Sequence, residues 1–83
     1  MNTEHLVQMA NQIGSFFQSY PDAAEARQGI ATHVRKFWEP RMRKLILERA
    51  RQGEASGLDA LVQQALLEHQ TALQPQPQPQ PQG

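Results

Sequence analysis

The sequence predicts an all-α fold: a small compact bundle of about four short helices followed by a disordered C-terminal tail. Three observations carry this expectation. Apolar residues recur at helical spacing through most of positions 1–73, and no β-branched or alternating run suggests a strand. Pro21, the pair Glu39-Pro40 and Gly53 cut that pattern into pieces of helix length. The last ten residues, Gln74 to Gly83, read QPQPQPQPQG and hold five Gln, four Pro and one Gly, with no apolar side chain to bury. The expected division is therefore a helical domain over 1–73 and a Gln/Pro tail over 74–83. The tail should be extended, solvated and dispensable for folding and binding.

Each helix has its own warrant. Thr3 is placed to cap a first helix running to about Ser19, with Leu6, Met9, Ala10, Ile13, Phe16, Phe17 and Tyr20 on one broad side. Pro21 breaks it, and Asp22 with Glu25 three residues later makes a capping-box-like start for a second. The second helix carries a stripe of Ala23, Ala26, Ile30, Val34 and Phe37, with Ile30 and Phe37 expected in the core and Trp38 on the flank. Gly29 inside it costs about 1 kcal/mol relative to Ala unless close packing requires it. Pro40 suits the first position of a third helix and Gly53 its stop, with Met42, Leu45, Ile46 and Ala50 facing inward. After a loop over 54–57, a fourth helix is expected from about Leu58 to Ala72, burying Leu58, Leu61, Val62, Ala65, Leu66 and Leu73.

Composition narrows the chemistry. With no cysteine there is no disulfide, no thiolate metal site and no cysteine nucleophile. His5, His33 and His69 fall on three different expected helices without a ligand partner at i+3 or i+4. Gly14, Gly29, Gly53 and Gly57 are isolated and form no phosphate loop, and no nucleophile motif is present. The start, MNTEHLVQMANQ, lacks the basic and apolar regions of a signal peptide, and no apolar run approaches the roughly 20 residues of a membrane span. The reading is a soluble cytoplasmic protein with no metal or cofactor site of its own, not an enzyme by itself. A domain of this length buries proportionally little surface, so a protein partner is the simplest extra support.

Three features exceed what a bundle needs. Leu47 points roughly 150° from the stripe of the third helix, and Leu67 lies about opposite Leu58, which favours a second contact surface. Formal net charge is zero, yet seven of the eight basic residues lie between Arg35 and Arg51, opposed there only by Glu39 and Glu48. Within that cluster Arg41, Arg43 and Lys44 crowd the positive end of the third helix dipole. The cluster fits either an anionic partner group or a solvated face with Lys44 paired to Glu48. Third, the polar side of the first helix is nearly uncharged. The corner Trp38-Glu39-Pro40-Arg41-Met42-Arg43 joins two interface-prone residue types through a rigid proline, although Trp38 equally suits a lid over the bundle end. The candidate partner-binding residues are thus Trp38, Pro40, Arg41, Arg43, Leu47 and Leu67.

The stretches LVQMANQIGSFF (Leu6 to Phe17), SYPD (Ser19 to Asp22), GIATHVRKFWEPRMR (Gly29 to Arg43) and GLDALVQQAL (Gly57 to Leu66) resemble the delta subunit of molybdenum-containing, NAD-dependent formate dehydrogenase. The M-A-N-Q-I-G and F-W-x-P-R-M-R segments are the most specific. Asp is common in the family where this chain has Glu39, and Asp would cap the third helix better. The resemblance implies a non-catalytic accessory subunit that supports assembly or stability of a cytoplasmic complex oxidising formate to carbon dioxide. It places the molybdenum-pterin cofactor, iron–sulfur clusters and FMN on larger subunits, with the catalytic alpha subunit the expected partner. Two other readings compete. A helix-turn-helix-like nucleic-acid binder would use the basic third helix as reader, but zero net charge and the abrupt restart at Pro40 speak against it. A self-associating helical module is the other.

Overall fold

The computed structural model describes residues 2–75; the expectations for the tail beyond Pro75 lie outside the described residues. These residues form α1 (Thr3–Phe17), α2 (Ala23–Phe37), α3 (Pro40–Ala50), a short 3-10 turn (Gly53–Ser56), α4 (Ala60–Glu68) and α5 (Gln70–Leu73), with no strand among them. The fold is all-α, as the periodicity predicts.

Local chemistry explains most helix ends. Asp22 caps α2, its Oδ1 accepting from the amides of Ala24 at 2.8 Å and Glu25 at 3.4 Å. Pro40 opens α3 at a position whose N–H has no intrahelical partner in any helix. The cap of α1 is Asn2 rather than Thr3: Asn2 Oδ1 accepts from the Glu4 amide at 2.9 Å. Both residue types cap well, and one residue of register separates them. Glu39 caps α3 only by position, with no side-chain hydrogen bond. The expected fourth helix is two pieces. Leu58 lies in the preceding loop, and His69, at φ −106° and ψ 19°, interrupts the run between α4 and α5.

One core joins all five helices. Leu6, Val7 and Ala10 of α1 meet Ile30, Ala31 and Val34 of α2, Ile46, Leu47 and Ala50 of α3, Val62, Ala65 and Leu66 of α4, and Leu73 of α5. Gly14 lets α1 approach α4 closely, because a Cβ there would strike the buried Val62. Asn11, on the polar side of α1, holds the loop before α4. Its Nδ2 donates to the Gly57 carbonyl at 3.1 Å and its Oδ1 accepts from the Asp59 amide at 2.9 Å. Gly57 makes that turn at φ +76°, where a side chain would be strained. Arg49 ties α3 to the first turn of α1 and to the 3-10 turn, reaching Glu4 at 2.8 Å and the Ser56 carbonyl at 3.4 Å.

Three expectations about burial are corrected. Leu47 is only 1% exposed: α3 is touched by α1, α4 and α5, so it buries more than one stripe. Trp38 is also in the core, at 6% exposure. The chain leaves the α conformation there, at φ −93° and ψ 136°, and the indole packs inward instead of flanking the helix. Phe37, expected inside, is 71% exposed. Trp38 fills that end of the core, and the Phe37 ring stays outside against His33, with centroids 4.9 Å apart.

Candidate functional site

The aromatic side chains missing from the core gather in one place. Phe16 is 67% exposed, Phe37 71% and Tyr20 40%, and all three border the seam between the C-terminal half of α1 and α2. Phe17 anchors the group. Its ring lies on Gly29 of α2, where a Cβ would come within 2.7 Å of Phe17 Cδ1, so the internal glycine serves a close contact. Phe16 stands edge-on to Phe17, with centroids 5.0 Å apart and planes at 87°, and Tyr20 tilts against Phe17 at 5.1 Å. Both arrangements suit aromatic quadrupoles.

Along this seam runs a groove of about 500 Å³, open to solvent, to which Phe17, Tyr20 and Phe37 contribute aromatic rings. Its polar lining residues are Glu25, Gln28, Thr32, His33 and Lys36, all on α2. A second, almost wholly apolar recess of about 300 Å³ lies beside it, formed by Ile13, Phe16, Phe17 and His33. The groove offers large aromatic area for contact but no nucleophile with its base. Among the described residues no group of three or more His, Asp or Glu side chains could hold a metal ion, and no helix is long and apolar enough to cross a membrane.

The sequence-derived candidates divide in two. Trp38 and Leu47 are buried and are not available as surface; Leu67 is half-buried and packs against the core. Pro40 and Arg41 are exposed at the corner into α3, and Arg43 is half-buried with its Nε shielded and unpaired among the described residues. Arg41, Arg43 and Lys44 form no ion pair there, and the Lys44–Glu48 pair of the solvated-face alternative is not formed among the described residues. Along the chain, this basic corner follows the groove residues Lys36 and Phe37, with the buried Trp38 and the exposed Glu39 between them.

Phe16, Tyr20 and Phe37 escaped the sequence reading because helical spacing places them on apolar faces. The doublets Phe16-Phe17 and Phe37-Trp38 held the missing signal. Adjacent residues point about 100° apart on a helix, so one member of each large aromatic pair tends to fall outside a narrow core stripe.

A family model of the NADH-dependent formate dehydrogenase delta subunit, FdsD, matches residues 5–66, which spans most of α1, all of α2 and α3, most of α4 and every residue of the groove. No curated protein and no solved structure matches the chain. Because the family match covers most of the sequence, the chain belongs to the NADH-dependent formate dehydrogenase delta subunit family, FdsD.

Proposed function

We propose that this chain is a non-catalytic accessory subunit of a cytoplasmic formate dehydrogenase, supporting assembly or stability by docking its aromatic groove onto a larger subunit, the catalytic alpha subunit. The observation that carries this reading is the exposure of Phe16 and Phe37 on one seam of a member of a subunit family. Burying a phenylalanine side chain is worth about 1.5–3 kcal/mol, so two such rings give an interface a strong apolar centre. Arg41 and Arg43 extend the surface as a basic flank suited to carboxylates. On this reading the molybdenum-pterin cofactor, iron–sulfur clusters and FMN belong to the partners, and this chain contributes contact area.

Co-purification of the other subunits with a Phe16→Ser, Phe37→Ser double variant tests the proposal. Both side chains are exposed, so the variant should keep its helical circular dichroism while recovering little of the complex. Full recovery of the complex by a folded double variant would refute the docking face. The nucleic-acid reading gains nothing from the fold, because two cations of the basic cluster are engaged internally: Arg49 with Glu4, and Arg51 with Gln70 at 3.2 Å.

A further inference from the structure

The groove carries opposite charges at its two ends. Its lining holds one carboxylate and one ammonium, Glu25 and Lys36, both exposed and neither in an ion pair among the described residues. They stand eleven residues apart on α2, which puts them about 20° apart around the helix and roughly 16 Å apart along it. They therefore share one face and are too far apart to pair with each other. The exposed rings follow the same order. Tyr20 lies just before Asp22, the N-cap of α2, at the acidic end, and Phe37 is the last residue of α2, at the basic end.

We propose that the free subunit is a weak homodimer, in which two copies close their grooves on each other about a two-fold axis with their α2 helices antiparallel. A two-fold axis makes every contact twice, with the roles of the two copies exchanged. Antiparallel helices set Glu25 of each copy beside Lys36 of the other, and Tyr20 of each toward Phe37 of the other. Both charges then meet the opposite sign, whereas parallel helices would set like against like. The axis falls midway between them, at the level of Gly29 and Thr32, where the Phe17 ring lies. The exposed parts of Phe16, Tyr20 and Phe37 come to about 350 Å² per copy, or about 700 Å² for the pair. That is over half of the roughly 1,200 Å² at which specific interfaces begin, and Gln28, Thr32 and the stems of Glu25 and Lys36 add to it. An interface of that size is weak and reversible, with a dissociation constant in the micromolar range. Such a dimer takes the rings out of water and still yields the face to a larger subunit. The inference rests on the reading of the groove as a docking face, and not on which subunit later takes it.

The test is sedimentation equilibrium of the isolated full-length chain across the micromolar range. The wild type should show a reversible equilibrium between the 9.4 kDa chain and a species of twice that mass. Glu25→Lys alone and Lys36→Glu alone should each weaken it about tenfold or more, because each sets like charges together at both ends of the interface. Mixed in equal amounts, the two single variants should associate as the wild type does, since every carboxylate again meets an ammonium. The double variant Glu25→Lys, Lys36→Glu should regain the dimer for the same reason. Both native charges also suit the dipole of α2, so an effect through helix stability would be worst in the double variant; circular dichroism checks that each variant is folded. Phe37→Ser should stay monomeric. A wild type that remains at 9.4 kDa overturns the proposal, as does a dimer that the single reversals and Phe37→Ser leave unchanged, or a mixture that fails to restore association. A monomeric wild type that still recovers the other subunits overturns the dimer alone. A charge-dependent dimer whose Phe16→Ser, Phe37→Ser variant recovers the whole complex upholds the dimer and overturns the docking of the groove on a larger subunit.

Discussion

Phe37 and Ile30 are spaced to share one helical face, yet the structure assigns them opposite roles, and truncating each to alanine separates the two. Ile30 is 0% exposed at the centre of the core, so Ile30→Ala should cost about 2–5 kcal/mol through lost transfer free energy and the cavity left behind. Phe37 keeps only about a third of its surface covered. Scaling the roughly 1.5–3 kcal/mol of full burial by that fraction leaves about 0.5–1 kcal/mol. The ring contact with His33 adds at most about 1 kcal/mol. For a domain of this size, 1 kcal/mol moves the midpoint by about 4–8 °C. Phe37→Ala should therefore lower the Tm by several degrees, and Ile30→Ala by about 10 °C or more, to the point of unfolding the domain. Thermal melts of the full-length variants by circular dichroism at 222 nm measure both. Equal losses for the two variants would mean that Phe37 is a core residue, and the groove would lose one of its walls. If instead Phe37→Ala melts near wild type and fails to bring down the other subunits, the residue acts at an interface.

Other substitutions probe separate links in the same argument. Gly14→Ala gains about 1 kcal/mol of helix propensity but drives a methyl into the buried Val62, so it should lower stability by about 1–3 kcal/mol in urea unfolding; a stabilised variant would show that α1 and α4 are not in close contact. Asp22→Ala removes the oxygen that accepts from Ala24 and Glu25 and should cost about 1 kcal/mol, with Asp22→Asn retaining most of it. Arg41→Glu with Arg43→Glu should leave the helical spectrum intact while weakening assembly of the complex, by about 2–5 kcal/mol if the lost pair is buried in the interface. Retained assembly by that folded variant would remove the basic corner from the docking surface, and salt-sensitive DNA retention by the wild type alone would favour the nucleic-acid reading.

What the sequence determined by itself is what acts within a turn or two of chain. Asp22 starts a helix because its carboxylate reaches amides two and three residues on, and Pro40 restarts one because its fixed φ and missing N–H suit a first position. The all-α class, the positions of the first three helices and the family resemblance were legible for that reason. Which side of a helix is inside depends on what lies across from it, and that is not local. Leu47 reads as surplus on a helical wheel and is buried because three other helices surround α3. Trp38 and Phe37 are neighbours in sequence, and only the turn out of α2 decides that the indole goes in and the phenyl stays out. Gly29 looked like a local cost of about 1 kcal/mol until Phe17, twelve residues earlier, was found lying on it. The candidate site is of the same kind. Periodicity put every aromatic side chain that lines it on an apolar, inward-facing stripe, but the groove exists because α1 and α2 pack at Phe17 and Gly29 while Phe16 and Phe37 stay outside the core.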